Sequence, residues 1–211
     1  TDYVERLSRG EVPPPLRADY RGDFVVVRDG LNRCIAAVGG LVAAADELSR
    51  AAVEGRLEVR ADATLHQGDF RRVVEGVNAT LDGVVGPLRQ AAATVEMLSR
   101  GEIPDPIAAD WRGEFAELRD SLNLCLGAVR TLVADAGRLA RAGTAGRLGE
   151  RADPAVHQGE FREIVLGFNA TLDAVVGPLR SAARCVDAIG RGALPPPIEA
   201  DWPGDFRALR D

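Results

Sequence analysis

The stretch HQGDFRRVVEGVNATLDGVVGPL, residues 66–88, contains a marker that returns along the whole chain. The marker is a glycine, an acidic residue and a phenylalanine, and its phenylalanines follow one another at steps of 46, 45, 46 and 45 residues. Self-similarity at this period indicates an array of small units that each pack against their neighbours. The copies are Gly22-Asp23-Phe24, Gly68-Asp69-Phe70, Gly113-Glu114-Phe115, Gly159-Glu160-Phe161 and Gly204-Asp205-Phe206.

The composition favours long helices over a compact aromatic core. Only 5% of the 211 residues are aromatic, whereas 27% are charged. The net charge of −6 is mild and no basic patch is evident, which argues against nucleic acid as a partner. The longest uncharged apolar stretch, residues 34–45, is shorter than the roughly 20 residues of a membrane-spanning helix. We therefore expect a cytoplasmic segment, from a longer protein that is either soluble or membrane-anchored.

Each marker opens a long segment with helical character, and a further glycine closes it. The sequence predicts helices over 23–54, 69–100, 114–145 and 160–191. The acidic residue is expected to cap the helix start and to meet the positive end of its dipole. Glycine tolerates the left-handed conformation that ends many helices. The closing glycines are Gly10, Gly55, Gly101, Gly146 and Gly192.

The predicted helices carry apolar heptads. After Phe24 the apolar residues follow 3-4-3-4 spacing, and after Phe70 they follow 4-3-4-3 spacing; the third and fourth helices repeat these two series. A sustained period of 3.5 residues requires a partner helix along the whole seam. The heptads therefore predict a helical bundle, made by dimerisation or by folding back.

The connectors between a closing glycine and the next acidic residue favour parallel helices. All but the connector of residues 55–69 contain proline. The connectors are therefore expected to be extended, at up to about 3.3 Å per residue. From the glycine to the acidic residue each connector spans 13 or 14 residues. An extended segment of this length can run back along a helix of about 15 residues, which a tight turn cannot do. An apolar anchor lies two residues after each glycine and is expected to pack on the helices: Val12, Leu57, Ile103, Leu148 and Leu194.

A helix, a glycine, an extended connector with apolar anchors and an acidic helix start together resemble the HAMP domain. The family's first helix begins with a proline about 14 residues before the glycine, as Pro87 and Pro178 do here. Its second helix carries an asparagine, and Asn32, Asn78, Asn123 and Asn169 lie nine residues after the acids. The resemblance implies a poly-HAMP array of a chemotaxis receptor or sensor kinase, in which one unit's second helix continues into the next unit's first helix.

This parsing divides the chain into five repeats. Repeat 1 covers 1–40 with a truncated first helix, and repeat 5 covers 178–211 with a truncated second helix. The complete repeats are 41–86, 87–131 and 132–177, and the chain is expected to be a fragment of a longer protein. The predicted fold is all-α, with parallel dimeric four-helix bundles in tandem.

Odd and even repeats differ. Odd connectors are rich in proline and one residue shorter, whereas the even ones read RADATLHQGD (60–69) and RADPAVHQGE (151–160). Together with the alternating heptad phase, this predicts two kinds of bundle. The resemblance implies that HAMP units switch between two bundle geometries.

No residue group predicts catalysis, a cofactor or a metal site. His66 and His157 occupy a connector position that holds Tyr20, Trp111 and Trp202 elsewhere, so we expect an aromatic packing role. The three cysteines, Cys34, Cys125 and Cys185, show no metal spacing and are expected to be small buried residues.

Two functions remain open from the sequence. The first is a non-catalytic signal relay, a homodimer between flanking input and output domains, without a small-molecule substrate. The second is a rigid coiled-coil spacer that transmits nothing. The alternation of repeat types favours the relay, and a monomeric helical solenoid is disfavoured because its repeats use tight turns.

Overall fold

The computed structural model describes residues 2–210, with side chains from Asp2 to Ala208. Every regular element in this range is helical, as the heptads predicted. The α-helices are α1 (Asp2–Ser8), α2 (Phe24–Val53), α3 (Gly68–Ser99), α4 (Glu114–Thr144), α5 (Gly159–Gly190) and α6 (Arg207–Arg210). Short 3-10 helices occupy Ala63–Leu65, Pro154–Val156 and Gly204–Phe206.

The four long helices confirm the predicted bounds to within one residue. Each runs unbroken for 30 to 32 residues. Pro87 lies inside α3 and Pro178 inside α5, so neither proline interrupts its helix. The predicted continuation of one repeat's second helix into the next repeat's first helix is therefore present.

The closing glycines end the helices as predicted. At the end of α2, Gly55 has φ 75° and its N–H donates to the Ala52 carbonyl at 3.1 Å. The Arg56 N–H then donates to the Ala51 carbonyl at 2.8 Å, which completes a Schellman motif. The same pair of bonds follows α1, α3, α4 and α5, so every connector leaves its helix in one direction set by glycine.

The marker glycines also have positive φ, and they are the point where the connector turns into the next helix. Gly113 precedes α4 with φ 57° and ψ −138°, a conformation in which a side chain is strained. Gly22, Gly68, Gly159 and Gly204 have φ between 53° and 61°. The glycine of the marker is thus a backbone requirement of the turn.

Replacing Gly113 by alanine is expected to lower the free energy of unfolding by about 1–3 kcal/mol, because alanine is strained at this φ and ψ. Gly127 lies inside α4, and a Cβ added there meets no atom within 4 Å. Gly127→Ala is therefore expected to stabilise the chain by about 0.5–1 kcal/mol. Urea denaturation of both variants checks the opposite signs, and a loss of equal size in both would contradict this role of Gly113.

The chain divides into two compact parts, residues 1–96 and 97–211. In the first part, Ile35, Val74 and Val85 are buried on the long helices, and Ala61 is buried in a connector. In the second part, Leu139, Ala152 and Val165 form a buried cluster against which Leu132 and Leu172 pack. In both parts the connector contributes to the core.

The helices of residues 2–210 include none with both the length and the hydropathy needed to span a membrane.

Candidate functional site: the connector clamp

An asparagine on each second helix holds the connector through its backbone. In repeat 3 the N–H of Ile107 donates to Asn123 Oδ1 at 2.7 Å, and Asn123 Nδ2 donates to the Ile107 carbonyl at 3.1 Å. One side chain therefore satisfies both polar backbone groups of one connector residue. We call this pair of bonds the connector clamp.

The same clamp occurs in all four repeats whose second helix carries the asparagine. Asn32 holds Leu16 with bonds of 2.7 and 3.1 Å, Asn78 holds Ala61 with 3.1 and 2.8 Å, and Asn169 holds Ala152 with 3.1 and 2.8 Å. The sequence showed the regular spacing of these asparagines but did not predict what they bind.

The chemistry of the clamp favours asparagine. An extended connector has no neighbouring strand, so its backbone groups need other partners once they are buried. The carboxamide offers an acceptor oxygen and a donor nitrogen side by side, whereas a carboxylate only accepts. The clamped residues Ala61, Ile107 and Ala152 are 8%, 6% and 3% exposed, so an unpaired group there would be costly.

In the even repeats an arginine next to the clamped residue adds a second attachment. Arg60 donates to Asp82 Oδ1 on α3 at 2.7 Å and to the Leu57 and Val59 carbonyls, both at 2.7 Å. Arg151 makes the equivalent bonds to Asp173 on α5 and to two connector carbonyls. Because Asp82 and Asp173 are exposed, the carbonyl bonds matter more to connector shape than the ion pairs.

The odd repeats fix their connectors differently. Pro13 is fully buried in repeat 1, and the Val12 side chain lies 3.4 Å from where a Cβ on Gly39 would be. The residue that corresponds to Gly39 in repeat 3, 91 residues later, is Arg130. Its guanidinium donates to the Pro104 carbonyl at 2.7 Å. Repeats of the two types therefore share the clamp but differ in the contacts around it.

The aromatic position before the marker packs as predicted in four of its five copies. His66, His157 and Trp202 are buried and Trp111 is half-buried, whereas Tyr20 remains 38% exposed. His157 also bonds to Asp135, at 2.8 Å from Nε2 to Oδ2. Arg138 and His157 donate hydrogen bonds to Asp135 and hold the pKa of this carboxyl below its usual range.

The acidic residues of the markers do not cap their helices in the way predicted. Asp23 is the N-cap of α2, but it lies in the helical region of φ and ψ and its side chain makes no capping bond. The N-cap of α4 is Gly113, and Asp69, Glu114 and Glu160 lie in the first turns. Their negative charges still interact favourably with the positive end of the helix dipole. Asp205 lies in the 3-10 helix Gly204–Phe206.

The marker phenylalanines are only partly buried, and the predicted anchors are less buried than expected. Phe24 is 69% exposed and Phe70 37%, whereas Phe115 and Phe161 are half-buried. Leu57, Ile103 and Leu148 are half-buried and Val12 is 38% exposed. Leu194 is 98% exposed, so the expectation that it packs on a helix is wrong for this chain. The clamped residues, four positions further on, are the deeper anchors.

The cysteines also differ from the prediction, because Cys34 and Cys125 are exposed and Cys185 is only half-buried in the single chain. Within residues 2–210, no three His, Cys, Asp or Glu side chains are grouped as a metal site would require. Among the described side chains, every buried nitrogen and oxygen has a hydrogen-bond partner. The polar groups of this site hold one segment of the chain to another.

Comparisons with known proteins support this picture of repeated units. The family model described as "HAMP domain" matches residues 1–40, 65–131 and 156–211, which is more than three quarters of the chain. No solved structure matches the chain.

A curated relative is the methyl-accepting chemotaxis protein McpB of Pseudomonas aeruginosa strain PAO1, which is 31% identical over 77 residues. This alignment covers 36% of the chain but only 11% of the relative's length. The repeats, the clamps and the extent of the family match lead to one assignment. The chain belongs to the HAMP domain family.

Proposed function

We propose that the chain is a non-catalytic relay that passes conformational signals along a parallel homodimer. Input and output domains would flank it in the full-length protein, with an output of the chemotaxis or sensor-kinase type. The similarity to a methyl-accepting chemotaxis protein supports this class of output. The observation that carries the proposal is the incomplete burial of the heptad seam.

Much of the seam is exposed in a single chain. On α3, Val77, Val84, Leu88 and Val95 are between 41% and 53% exposed, although they follow the heptad spacing. On α5 the exposed seam residues are Phe168, Val175, Leu179, Val186 and Ile189. Exposed apolar residues in a continuous stripe indicate a surface that another protein covers. A second copy presents the same stripe in the same register, which a parallel coiled coil requires.

The two repeat types support switching between two bundle states. The clamp is common to both, but the even connectors add the Arg60 or Arg151 attachment, and the heptad phase differs. If the free energies of two packings differ by only a few kcal/mol, an upstream domain can shift the population toward one of them.

A rigid spacer is the alternative. The helices α3 and α5 run unbroken through Pro87 and Pro178, and an uninterrupted helix can also serve to set a distance. The spacer predicts that a constraint on one repeat leaves the other repeats unchanged. The relay predicts that it alters them.

Cysteine crosslinking tests the dimer first. Leu31→Cys, in a chain with Cys34, Cys125 and Cys185 replaced by serine, is expected to form a covalent dimer under mild oxidation because Leu31 lies on the seam. Arg33→Cys, two residues away and off the seam, is the matched control. A folded monomer near the chain mass of 22.4 kDa in light scattering would contradict the proposal.

The same crosslinked protein separates relay from spacer. Hydrogen exchange is measured in residues 41–86 of the oxidised and reduced Leu31→Cys dimers. The relay is expected to show exchange rates in this next repeat that depend on the crosslink. Identical rates outside repeat 1 would favour the spacer.

A further inference from the structure

Repeats 2 and 4 have closely similar connectors, yet they differ around the buried histidine. In repeat 4, His157 Nε2 lies 2.8 Å from Asp135 Oδ2, and these side chains are only 2% and 15% exposed. The equivalent of Asp135 in repeat 2, 91 residues earlier, is Ala44. His66 there packs against Gly40, at 3.5 Å from the position of an added Cβ. The same histidine thus bonds to a carboxylate of the preceding helix in repeat 4, whereas in repeat 2 it packs on a small apolar surface of that helix and its acidic neighbour, Asp62, belongs to its own connector.

Arg138 extends the contact in repeat 4 to the middle of the connector, next to the clamped Ala152. It donates to Asp135 Oδ1 at 2.8 Å and to the Arg151 carbonyl at 3.2 Å. The carboxylate of Asp135 therefore accepts hydrogen bonds from Arg138 on its own helix and from His157 near the end of the connector, while Arg138 also binds the middle of the connector at Arg151. In repeat 2 the position of Arg138 holds Glu47, which cannot donate these bonds.

We propose that Asp135, Arg138 and His157 form a latch that ties the connector of repeat 4 to α4, and that repeat 2 lacks this latch. The two even repeats then differ in how easily their connectors leave the helices, so repeat 4 is the stiffer element. The proposal rests on the relay function, since a difference in stiffness matters only where repeats rearrange. Protonation of Asp135 does not oppose the latch near neutral pH, because its neighbours lower the pKa of the carboxyl.

Hydrogen exchange of the full chain tests the latch with an internal reference. Asp135→Ala gives repeat 4 the residue that repeat 2 has. The amide of His157, which donates to the Pro154 carbonyl, is expected to exchange about tenfold faster, as the loss of one buried hydrogen bond implies. The equivalent amide of His66, which donates to Ala63, is expected to keep its rate.

Two further variants keep the test decisive. Asp135→Asn retains an oxygen that can accept from His157, so its effect is expected to be smaller than that of Asp135→Ala. The double variant Ala44→Asp with Glu47→Arg transfers the latch to repeat 2 and is expected to slow exchange of the His66 amide. Gly40 and Ala44 are four residues apart on α2 and therefore lie on the same face of that helix. This is the face against which His66 packs.

The outcomes separate the latch from the proposed relay. An unchanged rate at His157 in Asp135→Ala, or equal acceleration at His66 and His157, would overturn the latch. Light scattering on the same samples reports the dimer. A monomeric chain that still shows the selective change at His157 would refute the dimeric relay while leaving the latch contact in place.

Discussion

Replacing Leu126 by alanine is expected to lower the free energy of unfolding by about 2–5 kcal/mol. Leu126 is 1% exposed and is among the largest fully buried side chains of the chain. It lies three residues after Asn123 on α4 and so faces the same side, toward the connector that Asn123 clamps. Removing its methyl groups leaves a cavity under the connector of repeat 3. Urea denaturation followed by circular dichroism measures the loss.

Leu124 is the matched control for this prediction, because it is 76% exposed and lies only two residues away. It is also absent from the heptad series. Leu124→Ala is expected to change the free energy of unfolding by no more than about 0.5 kcal/mol. Similar losses in both variants would show that burial under the connector does not determine the stability of repeat 3.

Removing the clamp should have the second large effect. Asn123→Ala leaves the N–H and the carbonyl of Ile107 without their partner, and Ile107 is only 6% exposed. Burial of two unsatisfied groups is expected to cost about 2–4 kcal/mol in total. Because the affected groups belong to the connector, hydrogen exchange at the Ile107 amide should accelerate more than exchange within α4.

Thr131→Ala provides the control for the clamp. Thr131 is exposed on the same helix, and its hydroxyl bonds to the Gly127 carbonyl at 2.9 Å. The Gly127 carbonyl belongs to a residue inside α4, and alanine has a higher helix propensity than threonine. We expect a change within about 0.5 kcal/mol. A loss as large as that of Asn123→Ala would mean that any side chain bonded to the backbone of α4 contributes equally.

The sequence predicted the helices well because their limits depend on local signals. Glycines such as Gly55 and Gly113 are needed for positive φ, and this requirement is visible without knowledge of the fold. The 3.5-residue period of the seam is equally local. The four helix ranges were therefore correct to within one residue.

The site was harder to predict because its contacts join distant residues through main-chain atoms. Asn123 binds the N–H and carbonyl of Ile107, groups that every residue but proline carries, so no side-chain pattern identifies the partner. Small clamped residues such as Ala61 and Ala152 also gave no sign of an anchor. Asp135 and His157 are 22 residues apart and meet only because the connector returns along α4.

The cysteines illustrate a different limit. Cys34 and Cys125 lie on the heptad seam, and the pattern predicted burial there, but both are exposed in one chain. A heptad identifies positions that a bundle covers without stating which chain covers them. The degree of burial of a seam residue therefore depends on assembly, whereas Leu126 is buried within its own chain.

The clamp also bears on how such arrays can grow and diverge. An asparagine that binds only main-chain atoms places little restriction on the side chains of the segment it holds, as Leu16, Ala61, Ile107 and Ala152 illustrate. The clamped position can accumulate substitutions without loss of the clamp, whereas the side-chain contacts of Arg60, Arg151 and His157 would have to be kept separately. Gene duplication of a 91-residue pair would then supply a second pair whose connectors are already clamped.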